Sequence, residues 1–167
     1  MRARLGHLAL VVGSLTFLGA APAAGAAIPF TGTTDQGQPL TMTMTATGRK
    51  VTLHFAYQVA CASGLRFVDS ETVRAPAHPT IQRRRVTGVK FSAQGPGQIQ
   101  ASTADGQQVT GMLEVVVAGN VRLRTGNATG RIEATIALSN GDNCTTGTAP
   151  IRWTAAIAAT PPAKAPR

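Results

Sequence analysis

The residues that decide the fold are VTLHFAYQVAC, positions 51–61. Every odd position in this stretch is apolar, and the even positions are polar or small. Because a β-strand sends alternate side chains to opposite faces, one face of the stretch must meet a core. Cys61 belongs to the apolar set, which places its sulfur inside that core or at its edge. The stretch therefore predicts a half-buried strand ending in an inward-facing cysteine.

The same two-residue period recurs along the chain. Alternating segments lie at 40–45, 107–118, 121–124, 131–138 and 151–157. Shorter candidates at 65–70, 89–93 and 98–103 bring the total to about eight or nine strands. Turn signals containing Gly or Asn separate the segments, at 47–49, 104–106, 118–120 and 140–143. No segment shows helical periodicity, so we expect an all-β fold, an antiparallel β-sandwich or partly closed barrel.

Two stretches interrupt this pattern. Residues 74–79, Arg-Ala-Pro-Ala-His-Pro, contain two prolines, which lack the N–H group that a central strand donates. We therefore expect a crossing loop there. Residues 159–167 are rich in Pro and Ala and end in basic residues, which is typical of a flexible tail.

The N-terminal 26 residues have the composition of an export signal. Arg2 and Arg4 precede a short apolar run, and Ala24-Gly25-Ala26 supplies a small-residue cleavage pattern. The run is shorter than the about 20 residues of a membrane-spanning helix, and no other transmembrane segment is expected. These features predict a secreted protein, extracellular or at the cell envelope, with one mature domain at 27–158.

The chain contains two cysteines, Cys61 and Cys144. In an exported protein such a pair most simply forms one disulfide bond. A reactive or metal-binding pair is the alternative, but neither C-x-x-C spacing nor a nearby set of further ligands supports it. The sequence predicts no metal site and no cofactor.

Several short motifs resemble a family of small secreted β-sandwich domains from high-GC Gram-positive bacteria. The matching residues are the turn at 30–37 (FTGTTDQG), the Val51–Cys61 strand, the turn at 126–131, Cys144-Thr145-Thr146-Gly147, and Ile151-Arg152-Trp153. The resemblance spans nearly all of the mature chain and implies a disulfide-linked sandwich. It implies no activity and no catalytic residues.

Charge supplies the main functional signal. The chain has 16 Lys and Arg against 7 Asp and Glu, a formal net charge of +9, which favours anionic partners. The run Arg83-Arg84-Arg85 could bind phosphate or carboxylate groups through its guanidinium groups. Alternatively, it is a solvated loop or an edge strand whose charges oppose aggregation. Specific nucleic-acid binding is not expected, because there are few aromatic residues to stack on bases. Four further arginines are predicted to face outward: Arg122, Arg124, Arg131 and Arg152.

No catalytic motif stands out. Asp69 and Glu71 are two residues apart and share a strand face, so with His54 they could support hydrolysis. Trp153 could stack on a sugar if exposed, but its phase within 151–157 predicts burial. The sequence thus predicts a non-catalytic domain that interacts at the cell envelope with an anionic cell-wall polymer, a glycan or a protein partner. A carbohydrate-binding module and a hydrolase remain the alternatives.

Overall fold

A computed structural model describes residues 26–102 and 108–158, which form nine β-strands and no helix. The strands are β1 (Ile28–Thr34), β2 (Pro39–Met44), β3 (Lys50–Cys61), β4 (Arg66–Gln82), β5 (Arg85–Ser102), β6 (Gln108–Arg122), β7 (Asn127–Leu138), β8 (Asn143–Thr145) and β9 (Ile151–Ile157). Each strand pair is antiparallel. The all-β antiparallel class predicted from the sequence is confirmed.

The nine strands form one sheet that closes on itself. Around the ring the order is β1-β9-β7-β6-β5-β4-β3-β2, and β2 pairs with both β3 and β1. The short strand β8 is inserted between β3 and β7. This pairing is compatible with the predicted sandwich or partly closed barrel.

The alternating pattern determines which side chains fill the interior. All six odd-numbered residues of the 51–61 stretch are buried, as are the predicted inward residues of β2, β6 and β7. Trp153 is 1% exposed and stacks on Phe91 with 6.2 Å between ring centroids. Ile157 is the exception, because it lies at the end of β9 and is 43% exposed.

The predicted disulfide between Cys61 and Cys144 is confirmed, with an S–S distance of 2.00 Å. The two residues face each other on β3 and β8. Since β8 has only three residues, this covalent link holds it in its place between β3 and β7.

The loop predicted at 74–79 is wrong, because β4 runs through both prolines. Ala77 N–H donates to the Arg49 carbonyl on the β3 side, and donors alternate sides along a strand. The ring nitrogen of Pro76 therefore faces the β5 side, where pairing begins only at Ala77. The ring nitrogen of Pro79 faces the β3 side beyond Lys50, where β3 has not yet begun. Neither proline removes a ladder hydrogen bond.

The turn predicted at 118–120 is also wrong, since β6 continues through it and the chain reverses at 123–126. Gly119 lies under two rings, and a Cβ there would come within 2.5 Å of Phe91 Cζ and 2.7 Å of Trp153 Cζ2. Close packing rather than a turn requires this glycine. The neighbouring Thr129-Gly130, part of the motif at 126–131, likewise lies inside β7.

The other turn signals have different outcomes. The turns at 47–49 and 140–143 are confirmed, with Gly48 and Gly141 at φ values of 67° and 88°. The signal at 104–106, the tail at 159–167 and positions 1–25 of the export signal lie outside the described residues. Within residues 26–102 and 108–158, no helix has the length and hydropathy needed to cross a bilayer.

The ring is open along part of one seam. β4 pairs with β3 from Arg66 to Pro76 and with β5 only from Ala77 to Gln82. β5 pairs with β6 from Gly88 to Ser102, but its pairing with β4 stops at Phe91. Residues 66–75 and 92–102 therefore each have one strand edge with no partner in the described part of the chain. We call the opening between these two edges the split.

Candidate functional site

The arginine run forms the tip of the β4–β5 hairpin. Gln82 pairs with Arg85, so Arg83 and Arg84 are the two residues of the loop. Their φ values are 47° and 62°, which is the left-handed geometry of a type I′ turn. Asn-Gly is the preferred pair for such a turn, and a larger residue held at positive φ costs on the order of 1 kcal/mol or more. The tip therefore carries two arginines where the backbone favours other residues.

The three guanidinium groups at this tip are available to a ligand. Arg83, Arg84 and Arg85 are all exposed. In residues 26–102 and 108–158 the only ion pair joins Arg131 and Glu133, at 3.8 Å. No carboxylate of the described chain neutralises the tip.

Two more turns bring basic residues to the same end of the ring. The turn at 45–49 approaches the hairpin, since a Cβ on Gly48 would be 2.8 Å from Val89 and 3.4 Å from Val86. The turn at 123–126 is joined to it by the bond from Leu123 N–H to the Thr87 carbonyl, 3.1 Å. We call this end the arginine end, and its exposed basic residues are Arg49, Lys50, Arg83, Arg84, Arg85, Arg122 and Arg124.

The acidic residues that the structure describes all lie away from the arginine end. Asp35 and Asp142 are in turns at the opposite end of the ring. Asp69 and Glu71 are in the first half of β4, and Glu114 and Glu133 are midway along β6 and β7. Among the described residues the arginine end therefore has basic side chains without acidic ones, so the positive potential there is not offset by neighbouring carboxylates.

The other outward-facing arginines divide into two places. Arg131 on β7 and Arg152 on β9 are directly opposite each other. They border a shallow depression that Lys90 also lines. Arg122 and Arg124 belong to the arginine end instead. All four face outward as predicted, but they do not form one continuous stripe.

The structure separates the residues of the hydrolase alternative. Asp69 and Glu71 point to the inner side of the sheet and are half-buried. His54 lies on the outer face, where its Nδ1 is 2.9 Å from Thr72 Oγ1. Because the sheet lies between the imidazole and the carboxylates, these three residues do not form an acid–base site.

The inward carboxylates are held beside a buried phenol. Tyr57 is fully buried, and its hydroxyl donates to Asp69 Oδ2 at 2.8 Å. Burial, this hydrogen bond and the nearby negative charges all raise the pKa of Tyr57. Partial burial, followed by the charge of Asp69, raises the pKa of Glu71. This carboxyl group faces the split without an ion-pair partner in the described chain.

The aromatic residues of the described chain form no exposed platform for a sugar or a base. Phe67 is half-buried, and the others, Phe30, Phe55, Tyr57, Phe91 and Trp153, are at most 4% exposed. Trp153 is buried as predicted, and its Nε1 has no hydrogen-bond partner within the described residues. Stacking therefore cannot support the carbohydrate-binding alternative.

One group of potential metal ligands occurs near the disulfide. The Asp142 carboxylate lies within 4.8 Å of both sulfurs of Cys61 and Cys144. The sulfurs are bonded to each other, so they are not thiolate ligands. Asp142 instead accepts hydrogen bonds from the hydroxyl and backbone N–H of Ser63, and the hydroxyl contact is the main cause of its lowered pKa.

Comparison with known proteins gives no relative. No family model matches the chain, and neither a curated protein nor a solved structure matches it significantly.

Sequence reasoning found the arginine run but missed two features that shape its surroundings. It did not predict the left-handed turn, because two arginines are not a turn signal. It also did not predict the split, because the point at which two hairpin strands stop pairing leaves no periodic pattern in the sequence.

Proposed function

We propose that this protein is an exported, non-catalytic domain that binds an anionic polymer of the cell envelope through its arginine end. The partner carries repeated phosphate or carboxylate groups. An arginine guanidinium group binds such a group through two parallel N–H···O hydrogen bonds. The predicted export signal and the disulfide are consistent with a location outside the reducing cytoplasm.

The observation that carries the proposal is the conformation of Arg83 and Arg84. Both arginines have positive φ at an exposed tip, where Asn-Gly would form the same turn with less strain. Backbone strain at an exposed position indicates a role for the side chains rather than for the fold. Here those side chains are two adjacent cations.

The surroundings of the tip support the same partner. Arg85 follows at the first position of β5, and the two neighbouring turns add further basic residues. Because the described acids lie elsewhere, a polyanion that approaches this end meets no repulsive charge. The split is a different surface and is not part of this proposal.

The test replaces the strained arginines with the residues that the turn prefers. In Arg83→Asn/Arg84→Gly, we expect the domain to unfold about 3 °C higher, because strain on the order of 1 kcal/mol is relieved. We expect its affinity for polyphosphate to fall about fivefold at low salt, from two exposed charge contacts of about 0.5 kcal/mol each. Thermal denaturation and titration calorimetry measure the two effects.

The matched control removes two exposed arginines elsewhere, in Arg66→Gln/Arg131→Gln. Its net charge equals that of the test variant, so any difference between them reports position. The control should keep most of the affinity, and wild-type binding should weaken as salt increases. Equal losses in the two variants, or salt-independent binding, would contradict the proposal.

A further inference from the structure

The split is a cleft between two strand edges that have no partner in the described chain. Its walls are residues 71–74 of β4 and 93–97 of β5, and its floor is formed by Leu113 and Val115 of β6. The cleft between these walls has a volume of about 210 Å³. Since each wall is a strand edge without a partner in the described chain, both offer backbone groups to an extended segment, β4 as donors and acceptors, and β5 mainly as acceptors because Pro96 has no N–H and its ring nitrogen faces the split.

The inner side of the split is incompletely covered. Inward residues of β3 are almost fully buried, whereas the inward residues of β4 beside the split are only half-buried. Phe67 and Val73 are examples on β4, and Ala93 is another on β5. An added strand would bury this apolar surface, which supplies a favourable free energy of association.

The two walls differ in the side chains they direct inward. On β5 the inward positions are Ala93, Gly95 and Gly97, and a Cβ at Gly95 would meet no atom within 4 Å. On β4 they include Asp69 and Glu71, neither in an ion pair within the described chain. One wall therefore leaves room for a long side chain, and the other supplies negative charge for it.

We propose that the split accepts an extended segment of a partner protein as an additional strand, with lysine or arginine side chains facing inward toward Asp69 and Glu71. Their alkyl chains would cross the space over Gly95, and their cationic groups would reach the carboxylates. This interaction is separate from anion binding at the arginine end. The chain as a whole is positively charged, so its net charge would repel a basic segment, and the attraction must come from the local carboxylates.

The probe is a seven-residue peptide with an acetylated N-terminus and an amidated C-terminus. Threonine occupies its four odd positions, and lysine, lysine and valine occupy the three even positions in that order. We expect it to bind the mature domain and to slow amide hydrogen exchange in residues 67–74 and 92–97. Two control peptides separate the contributions. Glutamate in place of lysine reverses the charge, and proline in place of the two central threonines keeps the charge but removes strand donors. Each should bind at least tenfold more weakly.

Two variants test the walls. Gly95→Val fills the open space and should reduce peptide affinity at least tenfold while the domain stays folded, because valine suits a strand. Glu71→Gln should reduce it about fivefold, whereas Glu133→Gln, on an exposed carboxylate of β7, should leave it unchanged. Thermal denaturation confirms that each variant is folded.

Three results would each show that the proposal is wrong. The first is a lysine peptide that does not bind at millimolar concentration, or that slows amide exchange at neither edge of the split. The second is a proline peptide that binds as well as the parent, and the third is a folded Gly95→Val variant that binds the parent peptide as tightly as wild type does. Loss of polyphosphate binding in the arginine variants would not affect these measurements, so the two proposals fail independently.

Discussion

At the scale of single residues, glycine has opposite roles at neighbouring places in this sheet. Gly119 and Gly130 are paired on β6 and β7 beneath the indole of Trp153, where no Cβ fits. Gly95 on β5 has open space around the same position. Identical residue types thus mark the most tightly packed part of the core and its least covered edge.

This contrast gives a stability prediction. Gly130→Ala would place a Cβ against the Ala118 carbonyl oxygen and the Trp153 ring, so we expect a loss of about 2 kcal/mol from overpacking. Gly95→Ala is the matched control and should be neutral or stabilise by up to about 1 kcal/mol, since alanine restricts the unfolded chain. Urea denaturation measures both. A loss at Gly95 equal to that at Gly130 would contradict the packing contrast.

Glu71 makes a pH prediction at the same scale. Its pKa is raised in the folded domain by partial burial and by Asp69, so the folded state binds its proton more tightly than the unfolded state. Stability from this group is therefore present at low pH and is lost as pH rises from the unfolded pKa through the folded pKa.

The check is the difference in unfolding free energy between Glu71→Gln and wild type, measured from about pH 3.5 to pH 7, a range that includes the ordinary glutamate pKa of 4.5. The variant should gain on wild type as pH rises, by less than about 1 kcal/mol because the side chain is only half-buried. Groups that do not interact with Glu71 cancel in the difference, so it reports Glu71 together with its coupling to neighbouring Asp69 and Tyr57. A gain that instead grows toward low pH would contradict the raised pKa.

At the scale of elements, β8 depends on its covalent link more than any other strand. It contributes three residues, and one of them is the cystine residue Cys144. The disulfide spans 83 residues, so on the chain-entropy model it stabilises the fold by about 4.5 kcal/mol.

Removing the disulfide tests this dependence. We expect Cys61→Ala/Cys144→Ala to lose several kcal/mol, up to about 4.5 kcal/mol, with the unfolding temperature lowered accordingly. Amides of β8 and of the β7 residues that pair with it should lose hydrogen-exchange protection before the rest of the sheet. A variant with wild-type stability and a protected β8 would show that strand pairing alone holds this element.

The elements also show where local patterns mislead. Alternation in β2, β3, β7 and β9 was sufficient to predict strands and their inward faces. The prolines in β4 led to a predicted loop, because proline is excluded from a strand only when the strand has a hydrogen-bonding partner on each side. The glycine in β6 led to a predicted turn, because glycine is common in turns. Pro76 lies where β4 changes partners, and Gly119 lies under two rings.

At the scale of the whole molecule, the seam between β4 and β5 combines two different surfaces. Its closed half ends in the arginine hairpin, and its open half is the split with the inward carboxylates. The same two strands therefore carry the proposed polyanion contact at one end and the proposed peptide contact further along. Because the described acids avoid the arginine end and two of them line the inner side of the split, the two proposed partners of opposite charge contact different parts of the domain.

At this scale the structure bears on the two alternative functions, whereas envelope binding stays a proposal. The aromatic residues of the described chain are buried or half-buried and form no stacking surface, and His54 is on the opposite face from Asp69 and Glu71. The family resemblance and the export signal stay predictions. The arginine end was only partly foreseeable, because its residues come from three turns that are distant in the chain.

Alternation and residue type are local properties, so they were enough to predict the all-β class, the inward face of most strands and the two cysteines available for pairing. The folded structure was needed to learn which strands meet, where the ring stays open and which basic turns lie together. Those features depend on hydrogen bonds and contacts between residues far apart in the chain, and no local sequence period encodes such pairings.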